Sequence, residues 1–226
     1  MTRRAAPVLL LGLLGTAVLL ALGVWQLQRL AWKEGLLARI EARLAADPGP
    51  LPAAPDPEAD LYRAVAVEGR VAGPAFAVFG TWRAFGAGVR AVVPLDTLEG
   101  RVLVDVGAVP WEPGTPLADA AGRAPAPGTA LRARGHLDWP DTGRAGAEGA
   151  ERVTRDVAAM AALAGARPIL VVAEAVEPAG AFTPLPVGTE GIPNNHLGYA
   201  VQWFGLALVW AGMTAYLAWR IRRRTI

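Results

Sequence analysis

The segment Pro193-Asn-Asn-His-Leu-Gly-Tyr-Ala-Val-Gln-Trp-Phe204 sets a histidine at the start of a long apolar run, beside two amides and ahead of aromatic residues. An ionisable group at a membrane boundary is expensive, so a use for it is the first thing to consider. Gly191-Ile-Pro breaks the chain before it. Asn194 or Asn195 is well placed to cap the helix that follows, its side-chain oxygen taking an orphan amide hydrogen. His196 then falls in the first turn. A neutral imidazole can ligate a metal such as haem iron, and a neighbouring asparagine can fix its tautomer. Tyr199, Ala200 and Trp203 follow on the same helical face, with Asn195, Tyr199 and Gln202 as an adjacent polar strip. The plainer alternative is a capping cluster followed by interfacial aromatic anchors.

A second group of such residues lies near the other end of the chain, in Gly23-Val-Trp-Gln-Leu-Gln-Arg-Leu30. Trp25, Gln26 and Arg29 would reach the membrane surface at a depth close to that of His196. An arginine there can pair with carboxylates such as haem propionates, or simply extend its head group to water. Two helices carrying amide, aromatic and ionisable groups at one boundary could hold a flat amphipathic cofactor between them.

These groups need two membrane-spanning helices to position them. No charged residue occurs from Ala5 to Gln28, and no acid, lysine or arginine from Gly191 to Trp219. Each run supplies the roughly 20 apolar residues of a span. The predicted organisation is an N-terminus over residues 1–6, a first span over 7–28, and a helical extension with a Pro-rich stiff linker over 29–60. A β-rich domain over 61–190, a second span over 194–219 and a basic tail over 220–226 follow. The first helix is predicted to run from about Pro7 to Leu44. No lysine or arginine stands between Arg167 and Arg220, whereas four arginines crowd the end of the second span. The positive-inside rule then puts both termini in the cytoplasm and the central domain outside it. Arg3 and Arg4 agree; Arg29, Lys33, Arg39 and Arg43 do not. A cleaved signal peptide is disfavoured, because the apolar run is long and no clear cleavage site precedes Trp25.

Composition excludes several chemistries. The 226 residues include no cysteine, no serine, one lysine and two histidines. Thiolate metal sites, disulfides, covalent haem attachment and serine nucleophiles are ruled out, and an all-histidine metal site in one chain is disfavoured. The pI of about 9.5 does not mark a nucleic-acid binder. From Leu61 to Glu190 twelve arginines face fourteen acids, and the positive excess sits at the termini. That is a membrane-orientation pattern.

The central region reads as strands over Tyr62–Val71, Phe76–Phe79, Val89–Leu95, Arg101–Val106, Ala130–Leu137 and Ile169–Ala175, separated by Gly and Pro. One helix is predicted over Thr154–Ala164 and a loop over Asp141–Ala150. The spacing implies an antiparallel barrel-like or sandwich domain of α+β type. His136 reads as a structural strand residue. Asp105, Asp138 and Asp156 read as solvated or capping carboxylates, with no spacing that favours catalysis.

Three motifs together resemble the Surfeit locus 1 family of cytochrome c oxidase assembly factors. They are the Gly23–Leu30 motif with Trp32-Lys33; Val92-Val-Pro-Leu followed by Gly100-Arg-Val-Leu-Val-Asp-Val-Gly-Ala-Val-Pro; and the Pro193–Phe204 segment. The resemblance covers nearly the whole chain. It implies a membrane-bound, non-enzymatic assembly factor for a haem-copper oxidase. Such a protein would bind haem a transiently and assist its insertion into oxidase subunit I, with haem a synthase as a further partner. His196 matches the family's candidate haem ligand. Arg29 would lie near the propionates, with Trp25, Gln26, Tyr199 and Trp203 lining the site. The chain departs from the family where Asp105-Val-Gly-Ala replaces Asn-Arg-Gly-Trp, and where a Trp-Tyr pair is missing before Asp156. The alternatives are a scaffold for subunit I and the synthase that touches no haem, and an unrelated tethered sensor with a pocket in its β domain.

Overall fold

The computed structural model describes residues 6–82, 85–140, 151–152, 154–190 and 192–223. The expected loop at Asp141–Ala150, the break at Gly191 and the arginines at positions 3, 4 and 224 lie outside them. The elements are α1 (Ala6–Leu44), β1 (Ala64–Val71), β2 (Phe76–Trp82), β3 (Gly86–Thr97), β4 (Gly100–Pro110), α2 (Leu117–Ala121), β5 (Ala130–Asp138), β6 (Glu151–Arg152), α3 (Val157–Ala164), β7 (Leu170–Glu177) and α4 (His196–Arg223). The chain forms two compact units. One holds the residues up to Arg39 and those from Thr189 onward; the other is Ile40–Gly188.

In the first unit, α1 and α4 are both long and apolar enough to cross a membrane. Their outer faces present Leu10, Leu13, Leu14, Leu206, Leu208 and Val209, all exposed, as a lipid-facing surface requires. At 1.5 Å per residue the 39 residues of α1 extend about 58 Å, nearly twice the roughly 30 Å of a bilayer's hydrocarbon. The helix therefore continues well past any span, through the charged stretch after Arg29.

The second unit is a closed barrel rather than a sandwich. Five strands run in the order β1-β5-β7-β4-β3, and β1 closes onto β3 through Arg70↔Asp96 and Val71↔Leu95. The remaining strands extend the sheet from β3: β2 pairs with β3, and β6 with β2. Pairing is antiparallel except for β4–β7 and β2–β6. Bulges at Ala91/Val92 and Arg134/Gly135 add the local twist that curls long strands into a barrel. Alternation then sorts the side chains. Val65, Val67, Val93, Leu95, Val102, Val104, Val171 and Ala173 fill the interior. Val92, Leu103, Leu170 and Val172 point outward and are covered by Val157, Met160 and Ala161 of α3. Strands β3 and β4 are thus buried on both faces, which is why they read as continuous apolar runs. Asp156 caps α3, accepting a hydrogen bond from the Ala159 amide at 2.9 Å, so the helix begins at Val157, three residues later than expected.

The Pro-rich stretch expected as a linker is docked on the barrel. Gly49 exchanges backbone hydrogen bonds with Ala64 and Ala66, and Leu51 enters the core. His136 joins the same unit together: its Nε2–H donates to the Leu44 carbonyl at 3.0 Å, at the end of α1. This structural role matches the expectation for His136.

The expectation for Asp105 and Asp138 is corrected, since neither is solvated nor capping. Asp105 is fully buried, and Arg90 donates to it at 2.5 Å while Arg155 donates at 3.3 Å. Arg155 also pairs with Asp138 at 3.3 Å, and Arg90 reaches the Leu185 carbonyl at 3.2 Å. Alternation puts Arg90 and Asp105 on the outer barrel face, where the ordinary strand neighbours are apolar. A charge inside an unbroken run such as Val102-Leu-Val-Asp-Val was the available signal. Gly107 follows at φ 110°, with the Thr183 carbonyl oxygen 2.1 Å from where a Cβ would stand. No other residue fits there.

Removing one partner of a buried ion pair leaves the other charge uncompensated. Asp105→Asn is therefore expected to cost about 3–5 kcal/mol in urea unfolding of the detergent-solubilised chain. Glu68→Gln, which breaks the exposed Glu68–Arg132 pair, should change little. Burial, against the pull of Arg155, pushes the Asp138 carboxyl up from its ordinary 3.8. The folded state then binds more protons than the unfolded one, so Asp138 makes stability fall as pH rises from about 3.8 through its raised value. Asp138→Asn should flatten that part of the stability–pH curve.

Candidate functional site

Small residues let α1 and α4 approach closely. A Cβ on Gly12 would stand 2.0 Å from Thr214, one on Gly15 2.4 Å from Trp210, and one on Gly23 2.6 Å from the Phe204 ring. Ala200, Ala207 and Ala218 are buried on the α4 side. Glycine and alanine at such contacts are how helices pack when lipid removes the hydrophobic drive between them. Trp210 adds a hydrogen bond from Nε1 to the Gly12 carbonyl at 3.1 Å. The contacts run in opposite chain order, so the helices are antiparallel, and the same register continues to Gln26 and His196.

There the imidazole Nδ1 and the Gln26 Oε1 lie 2.9 Å apart. An amide oxygen accepts, so Nδ1–H donates, and the Nε2 lone pair is left free of that bond. Gln26 is only 8% exposed, and a buried amide oxygen without a partner would carry a desolvation cost. The contact therefore fixes both side chains. It also corrects one expectation: the group holding the histidine tautomer is Gln26 across the pair, rather than a neighbouring asparagine. Asn195 does occupy the cap position, its carbonyl accepting from the Tyr199 amide at 3.3 Å. The Asn194 Oδ1 is buried with no hydrogen-bond partner among the described residues.

The other expected residues flank this pair. At about 100° per residue on antiparallel helices, Trp25 and Arg29 of α1 and Tyr199 and Trp203 of α4 fall on one side of the line of contact. Phe204, against Gly23, lies on the other. Trp25 and Tyr199 are each 50% exposed, so their rings line an open face and not a closed cavity. Arg29 is exposed and stacks its guanidinium over Trp32, 4.6 Å from the ring centroid. It is thus held near the site with no acidic partner in contact among the described residues, and can meet an anionic group. The arrangement offers one imidazole nitrogen, an aromatic face and a cation on one flank of a helix pair.

The sequence profile of the SURF1 family matches residues 13–208. The chain belongs to the SURF1 family. Relatives include a SURF1-like protein from Monosiga brevicollis, 31% identical over 224 residues that cover 88% of this chain and 83% of that protein. The Surfeit locus protein 1 of Homo sapiens is 29% identical over 240 residues, 87% of this chain and 71% of that protein. The Mus musculus protein of the same name is 29% identical over 243 residues, 91% and 72% of the two chains. The match takes in the Gly23–Leu30 motif, both motif strands β3 and β4, and the start of α4, so the Gln26–His196 pair falls inside the family's shared region.

If the Gln26 amide sets the tautomer, Gln26→Leu should turn a single Nδ1-protonated imidazole into a mixture. Nitrogen-15 NMR of histidine-labelled protein in micelles reads this directly. An interhelical hydrogen bond of this kind is worth only about 0.6 kcal/mol, so thermal stability should barely move. An unchanged tautomer in the variant would show that the contact does not govern the ring.

Proposed function

We propose that this chain is a two-span membrane assembly factor for a haem-copper oxidase. It binds haem a transiently, assists its insertion into oxidase subunit I, and works beside the haem a synthase that supplies it. It is not an enzyme. Both termini are cytoplasmic and the β domain is extracytoplasmic, a reading supported by the arginines at the end of α4 and their absence ahead of it.

The observation that carries the proposal is the His196–Gln26 hydrogen bond. His196 would hold the haem, whose iron would supply the centre that takes an imidazole nitrogen. The residues present fit it. Gln26 holds Nδ1, so Nε2 is the nitrogen left to act as ligand. An outer partner on the far ring nitrogen is the usual way a protein orients a ligating histidine and raises its basicity. Trp25, Tyr199 and Trp203 supply flat apolar surface beside it. Arg29 supplies a positive charge where propionates would emerge toward water. A single protein ligand on an open face suits a carrier, since release must be fast enough for the cargo to be passed on.

The visible spectrum and haem extract of the protein, purified in detergent from cells that make haem a, test this. The wild type should carry haem a, His196→Ala little, and Gln26→Leu should bind about 10–100-fold more weakly. Haem absent from the wild type, in cells shown to contain free haem a, would favour a haem-free scaffold for subunit I and the synthase.

A further inference from the structure

The flank that carries Trp25, Arg29, Tyr199 and Trp203 does not end there. Leu11 stands five whole turns before Arg29 on α1, and Leu217 five whole turns after Tyr199 on α4. Both therefore lie on that same flank. There, with Val8, Trp210 and Met213, they line an apolar groove of about 300 Å³ whose floor is Gly12 and Thr214. Between groove and histidine the flank is continuous: Val18 and Leu22 on α1 and Leu206 on α4 fall at the intervening heptad-like positions. Gly12 exists at the floor because Thr214 leaves no room for a Cβ, and the same small residue makes the groove deep. The Trp210 indole forms one wall and is pinned by its bond to the Gly12 carbonyl, so the cleft is built into the packing of the pair.

Resting on the haem reading above, we propose that this groove receives the isoprenoid tail of the haem. The protein would thereby select a farnesylated haem over one without the tail. Three features commit the groove to that occupant. It shares one uninterrupted flank with the imidazole. It lies about 21 Å from Gln26 along α1, at 1.5 Å per residue, a distance of the order that separates iron from the end of an extended farnesyl chain. The flank is also charged in one direction only: Arg29 stands at one end, and at the other Leu11, Met213 and Leu217 line the groove with Tyr216, whose hydroxyl is neutral. An amphipathic molecule with carboxylates at one edge and a hydrocarbon chain at another fits that gradient in a single orientation. The tail thus fixes which ring edge faces Arg29. In a bilayer the alternative surroundings of the tail are lipid chains, so the gain comes from fit and not from leaving water. The preference is accordingly modest.

The test uses the full chain in nanodiscs, titrated with haem o, which has the farnesyl tail, and with haem b, which lacks it. Wild type should bind haem o about tenfold more tightly. Met213→Trp and Leu11→Trp, both at exposed positions away from Gln26 and His196, should cut that ratio to about twofold and leave haem b binding unchanged. Equal binding of the two haems by wild type, or an unchanged ratio in both variants, overturns the tail site while leaving the haem-carrier proposal standing. A second arm needs no iron ligation: a photoreactive farnesol in the same nanodiscs should label the Leu11 and Met213 segments of wild type and not of Met213→Trp. Labelling spread evenly along both helices, or equal labelling of the groove by a photoreactive phospholipid, overturns it. Groove labelling by farnesol with no binding of either haem would sink the carrier proposal and with it the assignment of the groove to a haem tail.

Discussion

The close approach of α1 and α4 sets everything at the candidate site. Where Gly12, Gly15 and Gly23 face Thr214, Trp210 and Phe204, the register of the two helices is fixed by shape, since no hydrophobic drive between helices exists in lipid. That register delivers Gln26 to His196. A hydrogen bond between two polar side chains in such surroundings is weak on its own, and it forms here because packing has already paid the cost of alignment. The order of causes therefore runs from small residues to register, from register to the imidazole tautomer, and from the tautomer to an Nε2 lone pair left out of that bond.

The β domain solves a different problem. Its barrel buries β3 and β4 on both faces, which leaves no solvated side for charged residues. Arg90 of β3 and Asp105 of β4 are nonetheless placed there, joined by Asp138 of β5 and by Arg155 from the segment before α3, and they are stable only as a mutually satisfied set. The set reaches beyond the barrel. Arg90 holds the Leu185 carbonyl, and the backbone of Ala108 pairs with Thr183. The chain leaving β7 is thereby fastened along the barrel over Thr183–Leu185. Where the resembled family has Asn-Arg-Gly-Trp, this chain keeps only the glycine, whose close contact with Thr183 is a backbone requirement. The substituted Asp105 has its own reason, as the hub of two arginines.

Local signals in the sequence were enough for the two apolar helices, six of the strands and the existence of α3, because each is written in nearest neighbours. The expected Pro7–Leu44 helix and the observed Ala6–Leu44 differ by a residue. The choice between barrel and sandwich was not legible. Strand β1 meets β3 and β5, and β4 meets β7 in parallel, and such pairings depend on contacts far apart in sequence. The short elements α2 and β6 carry too few residues for any period to show. The same limit explains the site. Depth along each helix could be counted from the ends of the apolar runs, so Gln26 and His196 could be placed at one level. Which of the amides near His196 touches the ring depends on rotation about the helix axes, and that is set by the glycines.

The two units differ in how they tolerate change, and this bears on how such a protein diverges. The helix pair depends on shape at a few positions, so a methyl group added at Gly12 or Gly23 collides with a neighbouring side chain, whereas outward-facing leucines need only remain apolar. The barrel depends on a filled interior and one satisfied charge cluster, and its exposed edges accept substitution readily. Trp25 and Tyr199 lie on the helix pair's open flank, each half exposed. Half-exposed aromatic rings at those places cost little in folding and contribute little to it. They stand on the flank that also carries Arg29, beside the histidine that Gln26 holds, so they can change without disturbing the glycine contacts that set the register.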